Sequence, residues 1–149
     1  MVYSFASFPS LLVARCSLLV LLIFLTGCGG TFMTSTPAYA RYKSDSVFKE
    51  FRSKGLRVDA VQEMPKDSFG ADAPRYSEAK GFHAGSTGAA TATLFTFDSA
   101  ADLTAMSDFV RKKYGTKQRQ IAHDNTLLVF WLPSKDDTFD YDSALLALP

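Results

Sequence analysis

The chain has 149 residues, enough for one domain with a sizeable core and too few for two comfortable ones. Hydrophobic residues make up 47% and charged residues 21%, which is a globular composition and argues against disorder. The net charge is only +1, whereas nucleic-acid binders need a broad positive field, so no nucleic-acid partner is predicted.

A short apolar run dominates the beginning of the chain. It occupies residues 16–25 and follows Arg15, the one basic residue before Cys28. Ten residues match the apolar core of a signal peptide, whereas a membrane-spanning helix needs about 20. The run therefore predicts a segment that directs export.

The four residues Leu25-Thr26-Gly27-Cys28 come directly after this run. They resemble the lipobox of bacterial lipoproteins, in which a Leu and two small residues precede an obligatory Cys. The resemblance covers about the first 30 residues of the chain. It implies cleavage between Gly27 and Cys28, and lipid (palmitate and related acyl chains) attached at the Cys28 sulfur. Each buried methylene of those chains contributes about 0.8 kcal/mol to membrane attachment.

Three other interpretations of this region stay open. The four residues can match the lipobox by chance, or the apolar run can be an uncleaved signal anchor. Ala38-Tyr39-Ala40 also has the small-x-small form of a cleavage site, although it lies 15 residues beyond Leu25. Under the lipoprotein interpretation Cys16 is removed and Cys28 is acylated, so the mature protein keeps no free thiol.

The predicted organisation is a signal peptide at 1–27, a lipidated N-terminus with a flexible tether at 28–42, and a single domain at 43–149. Residues 29–42 are rich in Gly, Thr, Ser and Pro and have neither helix nor strand periodicity. As a flexible coil this segment would span about 20 Å. The domain would therefore stay close to the bilayer.

The first half of the domain predicts one helix and two strands. A helix is expected at 45–54, capped by Ser44-Asp45-Ser46 and ended by Gly55. Alternation of apolar and charged residues predicts a strand at 56–60. A loop is expected to follow, then a strand from about 80 and a Gly-rich turn at 84–88.

The second half carries the clearest local signals. Residues 91–97 are β-branched and aromatic and predict a strand. Ser99 and Asp102 resemble a capping box for a helix at 100–114, which Gly115 ends. Strands are expected at 118–122 and 127–132, and Asp136 and Asp137 can cap a last helix. That helix should bury one face, formed by Tyr141, Ala144, Leu145 and Leu148.

This order of elements predicts an α+β fold. Short links between strands favour a small, mostly antiparallel sheet. The expectation is a two-layer sandwich with helices on one face of the sheet, loosely ferredoxin-like. Because 127–132 is apolar throughout, it is expected in the middle of the sheet.

Two basic clusters are candidates for contact with an anionic surface. One lies at the end of the second helix and comprises Arg111, Lys112, Lys113, Lys117 and Arg119. The other is residues 41–57, with six basic and two acidic residues. Cations at a helix C-terminus also complement the helix dipole, which is the simpler account of the first cluster.

Other chemistry has weaker support. His83 and His123 lack further His or Cys at ligand spacing, so no metal site is predicted. Acidic residues gather in 136–142, but Tyr141 stands where a calcium loop needs Gly, and a helix N-terminus explains them more simply. No nucleophile motif is present, and no cofactor is expected.

The sequence therefore predicts a non-enzymatic lipoprotein of the bacterial cell envelope, whose domain binds a partner protein or serves as an accessory module. The membrane is the expected partner, through lipid on Cys28. The alternatives are a small-ligand-binding lipoprotein and a hydrolase-like enzyme with an unrecognised site. Gly29 is not the Asp of the enteric inner-membrane retention rule. The anchor is expected on the outer face of the plasma membrane, or in the outer membrane of a two-membrane cell.

Overall fold

The computed structural model describes residues 41–131 and 138–149 of the chain. The helices and strands of this part are α1 (Ser44–Ser53), β1 (Asp59–Glu63), β2 (Glu78–Ala84), β3 (Ala90–Thr96), α2 (Ala100–Tyr114), β4 (Arg119–His123), β5 (Thr126–Phe130) and α3 (Phe139–Leu146). None of these helices is long and apolar enough to cross a membrane. The predicted signal peptide, Cys28 and nearly all of the predicted tether lie outside the described residues.

The five strands form one open sheet in the order β1-β2-β3-β5-β4, and all neighbouring strands are antiparallel. β3 and β4 therefore run in the same direction, with β5 between them and α2 connecting them. This is a split β-α-β unit, which ferredoxin-like folds also contain. The α+β class and the antiparallel sheet are confirmed.

Helices cover both faces of the sheet. On one face, α1 and α3 form a first core with residues that include Leu94, Leu128 and Phe130. On the opposite face, α2 forms a second core with the alternate residues, among them Phe95 and Val129. The structure thus has three layers where two were expected.

The sequence of the inner strands explains the third layer. All five residues of β5 are buried, and β3 is buried at every position except Thr91. Because successive residues of a strand point to opposite faces, such a strand presents an apolar surface on both sides. A single helix layer would leave one of those surfaces in water.

Local signals define α2 closely. The Ser99 hydroxyl accepts a hydrogen bond from the Asp102 backbone N–H at 3.1 Å and donates one to the Asp102 carboxylate at 2.6 Å. Leu103, Met106 and Val110 form the buried stripe. The helix ends at Gly115, whose φ of 80° favours glycine. The predicted bounds and cap of this helix are confirmed.

The cap of α1 comes from a different element than predicted. Its N-cap is Lys43, which makes no side-chain capping bond. The Glu78 carboxylate from β2 instead accepts the Ser44 backbone N–H at 3.0 Å. A long-range acid thus satisfies a donor that the nearby Ser and Asp side chains were expected to satisfy.

The first strand begins later than predicted. The alternation at 56–60 reflects burial of Val58 and partial burial of Leu56 against the first core, before any strand pairing begins. β1 starts at Asp59, and its register with β2 shifts before Gln62. Ala60 adopts a left-handed φ of 50° at this irregularity, as in a β-bulge.

The last helix has the predicted buried face. Tyr141, Ala144, Leu145 and Leu148 are all buried in the first core. The helix follows Thr138, and the predicted caps Asp136 and Asp137 lie outside the described residues. Tyr141 contacts Phe51 and Phe130 edge to face, which joins α3 to α1 and the sheet.

Candidate functional site

The chain enters the domain beside the hairpin that joins β4 to β5. The Tyr42 backbone N–H donates to the Asn125 side-chain oxygen, and the Asn125 side-chain nitrogen donates to the Tyr42 carbonyl, both at 2.9 Å. Asn125 is 1% exposed, so both bonds are shielded from water. The domain thus holds the polypeptide at one fixed point before α1 begins.

The Tyr42 side chain extends this contact. Its ring stacks on His123 with centroids 6.2 Å apart, and its hydroxyl donates to the carbonyl of Pro149. Arg41 lies 3.9 Å from the carboxylate of Asp124 at an exposed position. The last two residues of the predicted tether therefore contact the folded domain.

Two of the five basic residues proposed from sequence at the end of α2 contact other segments of the chain. The Lys113 ammonium donates to the Phe69 carbonyl at 2.7 Å and lies 3.3 Å from the Asp72 carboxylate. Arg119, on β4, forms an ion pair with Asp142 of α3 and donates to Thr138. These two cations hold neighbouring segments together.

The other three basic residues of this cluster are exposed. Arg111 lies 3.5 Å from Asp108, one turn earlier on the same helix. Lys112 and Lys117 have no ion-pair partner among the described residues. These three remain the candidates for contact with an anionic surface.

Three of the six basic residues of 41–57 have a carboxylate partner: Arg41 pairs with Asp124, Lys54 with Glu50 and Arg57 with Asp59. Lys80 of β2 donates to Asp45 at 2.8 Å, while Lys54 pairs with Glu50 at 3.5 Å. The Asp45 hydrogen bond raises the pKa of Lys80, and the same bond and the Lys80 charge lower the pKa of Asp45. Lys43 and Lys49 have no carboxylate partner in the described part of the chain.

The two basic clusters do not form one surface. α1 packs in the first core and α2 in the second, so the clusters belong to layers on opposite faces of the sheet. Arg119 alone reaches across to α3. A flat anionic surface would therefore meet one cluster or the other.

α3 carries an exposed apolar stripe that sequence reasoning missed. Phe139 is 66% exposed and Leu146 is 57% exposed. They are seven residues apart, hence about 10 Å along one side of the helix, opposite the buried stripe. The signal was present in the sequence, since α3 has large apolar residues at positions outside its predicted core face.

Two adjacent cavities are lined largely by the segment between β1 and β2. One has a volume of about 370 Å³ and reaches Glu63, Glu78 and Lys80. The other has about 510 Å³ and reaches Arg75, Asp98 and Asp102. Both are lined by Lys66, Tyr76 and Ser77. These volumes are in the range of small-molecule sites.

Tyr76 stands between the two cavities. Its ring packs against Phe69 and Phe95, with centroids 6.1 and 5.6 Å away, and its hydroxyl donates to the Pro65 carbonyl at 3.3 Å. Burial raises the pKa of the Tyr76 hydroxyl, and the nearby Asp67 carboxylate raises it further. Tyr76 therefore offers a neutral hydrogen-bonding group and an apolar ring to any occupant.

The histidines and acids considered for metal binding are not brought together. His83 is on β2 and His123 is on β4, with two strands between them, so their strands are about 14 Å apart. Asp142 is bound to Arg119, and Asp140 is exposed on α3. Residues 41–131 and 138–149 contain no group of three or more His, Cys, Asp or Glu able to hold a metal.

Comparison of the chain with protein families, curated proteins and solved structures found no similar protein. The chain matches no protein-family model, no curated protein and no solved structure.

Proposed function

We propose that the chain is a lipoprotein, held at a bacterial cell-envelope membrane by acyl chains on Cys28. The observation that carries the proposal is Leu25-Thr26-Gly27-Cys28 placed directly after the apolar run at 16–25. Two or more acyl chains give durable attachment, because each chain buries many methylenes. The domain at 43–149 then acts at the membrane surface as a non-enzymatic binding or accessory module.

The point where the chain enters the domain supports this proposal. Tyr42 is held by Asn125 and Pro149, so the connection to the membrane begins immediately before it. The residues from Cys28 to Arg41 would span about 20 Å as a flexible coil. A lipid on Cys28 would therefore keep the domain within a short distance of the bilayer, attached at one defined point.

Matched cysteine substitutions test the attachment. Cys28→Ala should abolish metabolic labelling by an alkynyl fatty acid and move the protein from the membrane to the soluble fraction. Cys16→Ala is the control, since Cys16 lies in the segment proposed to be removed and its loss should leave labelling unchanged. Labelling that persists in Cys28→Ala, or that is lost in Cys16→Ala, would contradict the proposal.

A second candidate function is binding of a small ligand in the cavities beside Tyr76. The specific observation is that two cavities of about 370 and 510 Å³ share Lys66, Tyr76 and Ser77. Native mass spectrometry of protein purified from producing cells would show a bound small molecule. Tyr76→Ala should lose it and Lys112→Ala, on α2, should keep it. Identical spectra for the two variants would count against this candidate.

A further inference from the structure

The outer surface of the α1/α3 layer combines exposed apolar and basic side chains. Phe139 and Leu146 are two of the three large hydrophobic residues that are exposed in the described part of the chain. The Arg119 guanidinium lies over the Phe139 ring, 5.9 Å from its centre, and Phe139 is still 66% exposed. The stripe therefore faces away from the core and toward solvent.

The charged side chains of this layer that have no ion-pair partner among the described residues are mainly positive. Asp45 and Glu50 of α1 are each paired with a lysine, and Asp142 of α3 is paired with Arg119. Lys43 and Lys49 have no carboxylate partner among residues 41–131 and 138–149. Of the acids of α1 and α3, Asp140 is the one that has no basic partner in this part of the chain. An anionic surface would attract these lysines, because its charge is opposite to theirs.

The α1/α3 layer also includes the point at which the chain enters the domain, at Tyr42. Tyr42 directly precedes α1, and its hydroxyl binds the carbonyl of Pro149, just beyond α3. The connecting residues thus meet the domain next to the ends of both helices. A short connection from the bilayer to this point brings these helices near the lipid surface.

We propose that the α1/α3 layer docks on an anionic phospholipid bilayer, with Phe139 and Leu146 entering the headgroup region and Lys43 and Lys49 contacting lipid phosphates. This inference rests on the proposed attachment through Cys28, which supplies the bilayer. The exposed ring and the aliphatic side chain are the groups that interfacial helices use, and the lysines are attracted to anionic headgroups.

A weak surface contact is sufficient for this docking. Two apolar side chains and two lysines alone would give a soluble domain little residence at a membrane. A tether of this length converts docking into an intramolecular step, with an effective concentration in the millimolar range. The acyl chains would hold the protein at the membrane, and the α1/α3 layer would set the orientation of the domain.

A site-specific fluorescent probe tests the orientation in the full chain. Ser143→Cys places a thiol on α3 between Phe139 and Leu146, at an exposed position, and Ala105→Cys places one at an exposed position of α2. Each protein is produced in a bacterium that processes lipoproteins, labelled with a nitrobenzoxadiazole maleimide, and reconstituted into vesicles. The vesicles contain phosphatidylcholine with or without phosphatidylglycerol, together with spin-labelled lipid as the quencher.

Docking predicts stronger quenching at position 143 than at position 105, by about threefold or more, in phosphatidylglycerol vesicles. Phe139→Ser with Leu146→Ser should weaken docking about tenfold or more, since both apolar contacts are lost. Lys43→Gln with Lys49→Gln should reduce quenching at 143 only when phosphatidylglycerol is present. Lys112→Gln with Lys117→Gln, on the opposite layer, is the matched control and should change nothing.

Three results would overturn the docking. They are equal quenching at positions 143 and 105, quenching at 143 that survives loss of both Phe139 and Leu146, and an effect of the Lys112 and Lys117 control as large as that of Lys43 and Lys49. A probe at 143 that becomes shielded in detergent as protein concentration rises would also overturn it, because a second copy would then cover the stripe.

Labelling of the unaltered chain separates this inference from the proposed attachment. An acylated Cys28 has no free thiol, so the unaltered protein should not react with the maleimide. Reaction there would contradict the attachment alone. Docking would then be measured with the same probes in a chain that carries a hexahistidine tag in place of residues 1–27 and Cys28→Ala, held on the same vesicles by a nickel-chelating lipid. Greater quenching at 143 than at 105 would support docking, and equal quenching would refute it.

Discussion

Asn125 binds the backbone of Tyr42 through both ends of its side-chain amide, across 83 residues of chain. One amide thereby satisfies a donor and an acceptor of a segment that has no secondary structure of its own. Because Asn125 is almost fully buried, water cannot replace either bond at low cost. The start of the domain is therefore fixed by a residue of the β4–β5 hairpin.

Asn125→Ala should lower the free energy of unfolding by about 2 kcal/mol, since two shielded hydrogen bonds are lost and two backbone groups are left unpaired. Urea denaturation measures the change. Gln62→Ala on the exposed strand β1 is the matched control and should change stability by less than about 0.5 kcal/mol. Equal effects of the two substitutions would show that the Tyr42 contact does not stabilise the domain.

Tyr141→Phe should be destabilising although it removes a single oxygen atom. The Tyr141 hydroxyl donates to the Arg57 carbonyl at 2.6 Å and accepts the Gly85 backbone N–H at 3.0 Å. Loss of both bonds should cost about 1–3 kcal/mol in thermal or urea unfolding. Tyr76→Phe is the same chemical change at a more exposed hydroxyl, and it should cost less than about 0.5 kcal/mol. A Tyr141 effect no larger than the Tyr76 effect would contradict this account.

The same substitution at two adjacent leucines of α3 should change the free energy of unfolding by very different amounts. Leu145 is fully buried in the first core, so Leu145→Ala should lower the free energy of unfolding by about 2–5 kcal/mol. Leu146 is 57% exposed, and Leu146→Ala should change stability by less than about 0.5 kcal/mol. A large cost at Leu146 would mean that its side chain supports the fold and is not free for docking.

The ion pair between Asp45 and Lys80 predicts a defined pH dependence. Lys80 lowers the pKa of Asp45 below its ordinary 3.8, so the stability that the pair contributes is lost as the pH falls through the lowered value. Asp45 raises the pKa of Lys80 above 10.5, so the contribution is also lost as the pH rises through the raised value. The pair therefore contributes between these two limits.

NMR titration of the Asp45 carboxyl measures this effect directly. In Lys80→Met the pKa of Asp45 should return toward 3.8, because the hydrogen bond and the charge of Lys80 are removed. Lys49→Met, on the same helix, is the control. A pKa of Asp45 that is the same in all three proteins would show that the pair does not form in solution.

Local sequence signals predicted the elements that depend only on neighbouring residues. The bounds of α2 follow from Ser99, a buried stripe and Gly115, all within one segment. The predicted start of β1 was wrong because Leu56 and Val58 alternate with charged residues as in a strand. Val58 is instead buried, and Leu56 partly buried, against the first core before strand pairing begins. The residues at which β1 pairs are set by its contact with β2, and the alternation of residues within 56–60 carries no information about that contact.

Long-range contacts decided what the sequence could not predict about the candidate sites. Lys113 and Arg119 looked like free surface cations, but their partners Asp72 and Asp142 lie 41 and 23 positions away along the chain. Whether the two basic clusters met on one surface depended on the third layer. The continuous apolar run of β5 already indicated that layer, because such a strand needs cover on both faces.

The contact between Tyr42 and Asn125 also has a mechanical consequence. Any pulling force transmitted from the residues before Arg41 reaches Tyr42 first, and two hydrogen bonds carry it into the β4–β5 hairpin. The first turn of α1 is thereby shielded from the load, and Ser44 keeps its bond to Glu78. Asn125 thus protects α1 from the applied force. The force at which the domain begins to unfold is set by the bonds of Asn125, 83 residues along the chain from Tyr42.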